Sequence, residues 1–250
     1  METVNGPSEG RIRIGTSGWN YDHWKGPFYP EKIPQKKMLA FYCGHFETVE
    51  INNTFYAMPK ENSIRSWSEG TPDGFLFSVK ANRVITHLKR LKDAEEQTAL
   101  FFERVSGLGG KLGPVLFQLP PSFGKNLARL ETFLQSLPKG FRTTFEFRDP
   151  DWFGEDTSLL LADYNSALCL YDFSRRQSPW AVTADYVYAR MHGPDGPYQG
   201  SYTPEQLKGL AEDINVWARE GRDVYCYFDN DMMGFAAQNA LALKAALGAA

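Results

Sequence analysis

The chain reads as an α/β protein, a TIM-type (β/α)8 barrel that is imperfect around its sixth crossover. Short runs rich in β-branched and aromatic residues alternate with longer stretches of helical spacing, which is the rhythm of βα units. Eight such runs can be counted, the number a barrel needs, and 250 residues is an ordinary length for one. No internal repeat, low-complexity tract or linker interrupts the alternation. Residues 1–250 are therefore expected to form a single domain, with residues 1–10 as a disordered tail.

The first strand falls at residues 11–16. The loop after it, residues 17–34, is rich in Gly, Pro and aromatic residues and too polar for a helix; in a barrel it would cover the C-terminal mouth. A helix over 36–45 leads to a strand at 48–52, a helix over 61–69 to a strand at 75–80, and a helix over 94–107 to a strand at 115–119. The third of these helices has Asp93 as its expected N-cap, ahead of Ala94, Glu95 and Glu96. Helices over 126–137 and 158–164 precede strands at 143–147 and 167–171. Residues 173–185 carry no helical stripe, which makes the sixth crossover irregular or confines it to one short helix. After a strand at 186–191, Thr203-Pro204-Glu205-Gln206 is a capping box with Pro at the first helical position; it opens a helix over 204–220 that Gly221 closes. A strand at 223–228 and a helix over 235–247 complete the alternation.

Composition narrows the function classes. Lys and Arg number 27 against 30 Asp and Glu, a formal charge of -3, so nothing global attracts nucleic acid or an anionic membrane and any polyanion site is local. No apolar run approaches the roughly 18 residues of a membrane span. The first residues hold neither a basic n-region nor an apolar h-region, so a cytoplasmic protein without a membrane partner is expected. Cys43, Cys169 and Cys226 are odd in number, widely spaced and free of any C-x-x-C pattern, which points to reduced thiols instead of disulfides or a thiolate zinc site.

Side chains alternate along a strand, and in a barrel every second residue points into the lumen. Taken by parity, the polar residues fall into one set: Glu50 and Asn52; Ser78, Lys80 and Asn82; Gln118; Glu146 and Arg148; Asp172; Tyr188, Arg190 and His192. Their opposite-parity neighbours are apolar, as in Val49 and Ile51, Phe77 and Val79, Phe117 and Leu119, Phe145 and Phe147. The polar set crowds toward the C-terminal strand ends, where barrel enzymes keep their active sites. Within it, Glu50, Glu146 and Asp172 balance Lys80, Arg148 and Arg190. Burying such charges is costly unless they pair or meet a ligand, so the set is either a salt-bridge network or a site.

Lys80, Arg148 and Arg190 suit an anionic group, with Asn52, Gln118, Asp172 and Asn230 as further substrate contacts. Glu50, Glu146 and His192 are the acid–base candidates, and phosphoester hydrolysis is one reaction they could serve. Aromatic residues expected at the mouth are Trp19, Tyr21, Trp24, Phe55, Tyr56, Trp152 and Tyr198. Such rings can stack on sugars or bases, yet Trp152 and Phe55 could equally pack loop on loop.

Other motifs carry less. Gly15-Thr16-Ser17-Gly18 is neither a nucleophile elbow nor a dinucleotide fingerprint, so it supports no Ser nucleophile and no nucleotide cofactor. Glycine-rich residues 107–113 follow a helix and lack Ser or Thr after Lys111, which fits a helix end and not a phosphate loop. Only His23, His45, His87 and His192 exist, without metal-ligand spacing; a Mg or Mn site would have to draw on Glu50, Glu146, Asp172 and Asp229, and no metal ligand is assigned.

Taken together, seven motifs in order carry a resemblance. They are Gly15-Thr16-Ser17-Gly18-Trp19, Glu50-Ile51-Asn52-Asn53-Thr54-Phe55-Tyr56, Phe77-Ser78-Val79-Lys80 with Ile85-Thr86-His87, Leu116-Phe117-Gln118-Leu119-Pro120-Pro121, Glu146-Phe147-Arg148, Arg190-Met191-His192-Gly193 and Tyr227-Phe228-Asp229-Asn230-Asp231. The chain thereby resembles the DUF72 (YecE-like) family from about Ile12 to about Leu247. The resemblance implies a TIM-type barrel; the family has no assigned function, so it implies no activity. An analogy with metal-dependent, endonuclease IV-like barrels would need several lumenal His, and the set offers only His192. Asp229 stands where the family more often has Asn, which adds an acid near the eighth strand's end.

Two functions follow as expectations. One is an enzyme acting on an anionic small molecule or phosphoester at the C-terminal mouth. The other is a non-catalytic binder of nucleic acid or another polyanion, using Lys25, Arg83, Lys89, Arg90, Lys92, Arg175 and Arg176.

Overall fold

The computed structural model describes residues 8–173 and 176–248. Its elements run β1 (Ile12–Thr16), α1 (Gln35–Cys43), β2 (Thr48–Ile51), α2 (Glu61–Glu69), β3 (Leu76–Lys80), α3 (Glu95–Val105), β4 (Leu112–Leu119), α4 (Leu127–Ser136), β5 (Thr143–Phe147) and α5 (Glu155–Asp163). They continue β6 (Ala167–Leu168), β7 (Leu170–Phe173), β8 (Arg176–Gln177), β9 (Tyr186–Met191), α6 (Pro204–Arg219), β10 (Asp223–Phe228) and α7 (Phe235–Gly248). The expected N-terminal tail falls mostly outside the described residues, but Gly10 is held, its N–H donating to the Ala218 carbonyl at 2.8 Å.

Two sheets form, in the orders β1-β10-β9-β7-β8 and β2-β3-β4-β5-β6. Apart from the antiparallel β7–β8 hairpin, neighbours pair in parallel, as βα units require. This is the α/β order of a TIM-type fold with two seams. At one, the single strand expected at 167–171 divides at Cys169: Ala167 and Leu168 pair with β5, whereas Leu170 to Asp172 pair with β9. The following crossover is irregular, and the short hairpin takes the place of a helix.

At the other seam, β1 and β2 share one isolated bridge, Ser17 to Glu50, and the Gly18 N–H donates to the Glu50 carbonyl at 2.8 Å. The Tyr42 hydroxyl of α1 completes the join: it accepts from the Thr16 N–H at 2.9 Å and donates to the Thr48 carbonyl at 3.0 Å. Gly15 permits the approach, since a Cβ there would lie 2.3 Å from the Thr48 carbonyl oxygen.

Between strands and helices lies an apolar layer. Val49, Phe77, Val79, Phe117, Leu119, Phe145 and Phe147 are all fully buried, as strict alternation predicts. Phe147 stacks on Trp152 with centroids 4.4 Å apart, so Trp152 packs the β5 loop down onto the core. Each such side chain contributes roughly 1.5–3 kcal/mol of burial. Inside the ring the filling is hydroxylated. Tyr186, Tyr188, Tyr225 and Tyr227 cluster with Leu116 and Cys169, and the Tyr227 hydroxyl bonds Thr48 Oγ1 at 2.7 Å and Ser78 Oγ at 2.8 Å.

Several boundaries differ from expectation: α5 begins at Glu155 instead of 158, and α1 and α3 end two residues early, at Cys43 and Val105. β4 begins at Leu112, three residues before the expected start, and Pro114, which has no N–H to give the ladder, sits where the register with β3 shifts between Phe77 and Val79. Asp93 does not cap α3: its backbone is left-handed (φ 48°), and Ala94 is the residue at the cap, without a side-chain hydrogen bond. The capping box at Thr203 is present, and Gly221 follows α6 with φ 83°. Among the described residues no helix is long and apolar enough to cross a membrane.

Candidate functional site

At the C-terminal strand ends a buried ion cluster is organised around Arg190, the fifth residue of β9, which is 1% exposed. Its Nε and Nη2 donate to Glu50 Oε1 at 3.1 and 2.8 Å, Nη1 to Glu146 Oε2 at 2.8 Å, and Nη2 to Asp229 Oδ2 at 2.9 Å. Ser17 Oγ accepts from Nη2 at 3.1 Å. One guanidinium thus links β2, β5, β9 and β10 to the residue after β1. Glu50 also accepts from the Tyr188 hydroxyl at 2.6 Å and from Ser17 Oγ, to which Asn52 Nδ2 donates.

Arg148, just beyond β5, donates from Nε to Glu146 and from Nη2 to His192 Nε2 at 2.9 Å. Its guanidinium lies over Phe173 and Tyr171, 4.2 and 4.9 Å from the ring centroids. A guanidinium only donates, so His192 Nε2 is the acceptor of this hydrogen bond. Nδ1 lies 2.9 Å from Asp229 Oδ2, close enough for an electrostatic contact but without hydrogen-bond alignment.

The field in the cluster is strong. Burial alone would raise the Glu146 carboxyl, yet Arg148 and Arg190 hold it well below the usual carboxylate range. Asp229 is lowered in the same way, its burial outweighed by Arg190 and His192. Arg190 is held firmly protonated, because Glu50, Glu146 and Asp229 overcome the burial that opposes its charge. Burial and then Glu146 push the Cys169 thiol well above its ordinary value, so it is a packed thiol and no nucleophile.

Lys80 differs from the other cations. Its Nζ makes no ion pair or hydrogen bond among the described residues and lies 4.6 Å above the centre of the Phe55 ring. Burial, then the nearby charge of Arg190, push its ammonium down to about 8. The loop it leads into is unusual. Val84–Leu88 is a π-helical segment, and Arg90, Leu91 and Asp93 have φ of 50°, 65° and 48°, a left-handed run of non-glycine residues. Segments of this kind concentrate at functional sites.

Glu50, Glu146, Arg148, Arg190 and His192 meet in one cluster, with Asn52 reaching it through Ser17 and its own buried Oδ1 left without a hydrogen-bond partner among the described residues. Gln118 makes only a weak 3.4 Å contact with the Leu119 carbonyl. Asn230 ties the end of β10 to the Gly200 carbonyl and Asn239 Oδ1, both at 2.8 Å, and serves loop placement. Asn82 donates to the Thr54 carbonyl and accepts from the Val84 N–H, which anchors the β3 loop. Asp172 requires correction. Ala167, Cys169 and Tyr171 take the lumenal face, so Asp172 turns outward; burial raises its carboxyl against a hydrogen bond with Tyr202. Asp229 supplies the third acid in its place.

The strand reading missed two cluster members, Asp229 and Ser17; extending the alternation of Arg13 and Gly15 one step past β1 reaches Ser17. Among the described residues no group of three or more His, Cys, Asp and Glu is placed to hold a metal ion. Of the polyanion candidates, Lys25 pairs with Asp22 at 2.6 Å, Lys89 with the Asp93 carbonyl, and Arg90 with the Ser122 carbonyl at 3.4 Å; Arg175 lies outside the described residues.

Parallel βα units around a hydroxyl-lined interior, with an ion cluster where the strands end, define a TIM-type α/β protein whose charged groups gather at the mouth. The chain belongs to the family described as "Protein of unknown function DUF72", whose model matches residues 13–250. Among solved structures it is similar to a DUF72 family protein from Thermotoga maritima, with a TM-score of 0.87 and 31% identity over 95% of this chain and 99% of that one. UPF0759 protein YunF of Bacillus subtilis (strain 168) is 28% identical over 91% of this chain and 92% of its own length. UPF0759 protein YecE of Escherichia coli (strain K12) is 34% identical over 152 residues, 60% of this chain; that match spans about half of YecE, 53% of its length.

Proposed function

We propose that the protein is an enzyme acting on an anionic small molecule at the C-terminal mouth. The observation that carries the reading is Lys80, a half-buried cation with no ion pair or hydrogen bond among the described residues, at the strand end where barrel enzymes bind substrate. A cation kept in a low-dielectric place without a partner costs stability, and an anionic ligand offsets that cost. Arg148 is the second binding group. Its Nη1 carries no hydrogen bond among the described residues, and its ring contacts hold the guanidinium in a fixed plane. Arg190 is the hub of the cluster instead of a substrate contact, because its donors are spent on three carboxylates.

Glu50 and Glu146, which hydrolysis of a phosphoester would draw on for proton transfer, are fully enclosed and bound to guanidinium groups, so the reading extends to an anionic substrate and not to that reaction. The test is thermal melting with inorganic phosphate and a panel of phosphorylated and carboxylated metabolites, against chloride at matched ionic strength. The expected result is a rise in Tm with at least one anion that is lost in Lys80→Gln and in Arg148→Gln. An equal response to every salt, or one unchanged in both variants, would sink the reading.

A further inference from the structure

We infer that Lys80 is a covalent-catalytic amine that forms an imine with the carbonyl carbon of an anionic aldehyde or ketone. The inference rests on the reading of the mouth as an anion site and names its substrate class.

Three observations support it. First, the amine is free to react. The carboxylates whose field reaches it, Glu50, Glu146 and Asp229, are all bound by Arg190, and among the described residues Nζ has no ion pair or hydrogen bond and lies over the face of Phe55. Second, burial together with a neighbouring cation is the environment that activates lysine as a nucleophile, and the fall of the ammonium to about 8 agrees with it. Third, the π-helical segment beyond β3 brings a neutral imidazole to the same place. The His87 ring stands edge-on to Phe55 at 4.8 Å, and its Nδ1 shares a 2.9 Å hydrogen bond with Thr86 Oγ1. Burial, and after it the charges of Lys80, Arg83 and Arg90, hold that ring down to about 4, so it is uncharged at neutral pH.

The chemistry balances without an oxidant or a metal. The nitrogen lone pair attacks the carbonyl carbon, the C–N bond forms, and the π pair moves to oxygen. Oxygen takes up one proton and nitrogen gives one up, in exchange with water at the mouth. The carbinolamine hydroxyl then takes a further proton from the water at the mouth and leaves as water when the C–O bond breaks, and the nitrogen pair closes the C=N bond of a protonated imine.

Reductive trapping is the test. The full-length protein is incubated with glyoxylate, reduced with sodium borohydride and mapped by peptide mass spectrometry, with Lys80→Arg in parallel and inorganic phosphate as competitor. The inference expects carboxymethyl-lysine to form predominantly at Lys80, to be suppressed by phosphate and to be lost from a Lys80→Arg variant of unchanged circular dichroism. Adducts spread over the surface lysines in proportion to their exposure overturn it. If phosphate still raises the Tm but Lys80 stays unmodified, the imine alone is overturned and the anion site stands; if neither effect is seen, both fall.

Discussion

Arg190 and Asp229 form a buried ion pair, Nη2 to Oδ2 at 2.9 Å, that joins the C-terminal ends of the neighbouring strands β9 and β10. The same carboxylate oxygen lies 2.9 Å from His192 Nδ1, so one acid faces both a guanidinium and an imidazole. Three acids and three bases do gather at the mouth, with Asp229 in the position that the sequence assigned to Asp172. The balance is unequal in geometry. Two arginines absorb all three carboxylates, and Lys80 is left over.

Removing the hub leaves three enclosed acids without their cation. Arg190→Met is expected to lower stability by about 3–5 kcal/mol, the cost of breaking a buried pair from one side. Urea denaturation at pH 7 measures it. A loss below about 1 kcal/mol would mean that the cluster is solvated in solution.

Acid should loosen the fold through the same groups. The Glu146 and Asp229 carboxyls lie below their ordinary values in the folded state. Their contribution is therefore complete above the unfolded pKa of about 4 and is lost as pH falls from there through the depressed folded values. Asp172, raised by burial, works in the opposite sense, favouring the fold most when protonated. Urea midpoints should be level from pH 7 to 5 and drop steeply below 4, and the drop should be smaller in Glu146→Gln.

Lys80→Met should stabilise the protein at neutral pH, by about 1–3 kcal/mol, because it removes a half-buried charge that has no ion pair or hydrogen bond among the described residues. The sign follows from the depressed folded pKa of about 8. The charged form burdens the native state below that value, and the burden is relieved as pH rises toward the unfolded value of about 10.4. Denaturation of both proteins at pH 7 and pH 10 decides it: the gap should narrow at the higher pH, and a destabilised variant at pH 7 would contradict the unpaired state of Lys80.

Tyr42→Phe strips the β1–β2 seam of its hydroxyl and orphans the Thr16 N–H and the Thr48 carbonyl. A loss of about 1–3 kcal/mol is expected for buried groups left unsatisfied. Amide exchange read at Thr16 should quicken more than that of the paired residues of β4 and β5, and uniform quickening would argue against a local effect.

Much of this was legible in the sequence, and the exceptions have physical causes. Alternation along Val49 to Ile51 and Phe145 to Phe147 separates core from lumen because both faces of these strands are buried in different surroundings, one apolar and one hydroxylated. Asp172 was misplaced because it lies one step beyond a strand expected to end at Tyr171; the parity of Ala167, Cys169 and Tyr171 puts Phe173 on the lumenal side, and that ring does stand 5.3 Å from His192. The idle state of Lys80 was not legible at all. A count of charges shows that they cancel, whereas the pairing depends on how many N–H groups one guanidinium can direct at once.

The seam between β1 and β2 gives the mouth cluster a second office. With only one backbone bridge there, Arg190 acts as a clasp, holding Ser17 on one side and Glu50 on the other. Drawing the guanidinium outward would unfasten the first two strands from one another. Breathing of those strands then reports on the state of the clasp, and it can be followed away from the cluster at the amides of the seam.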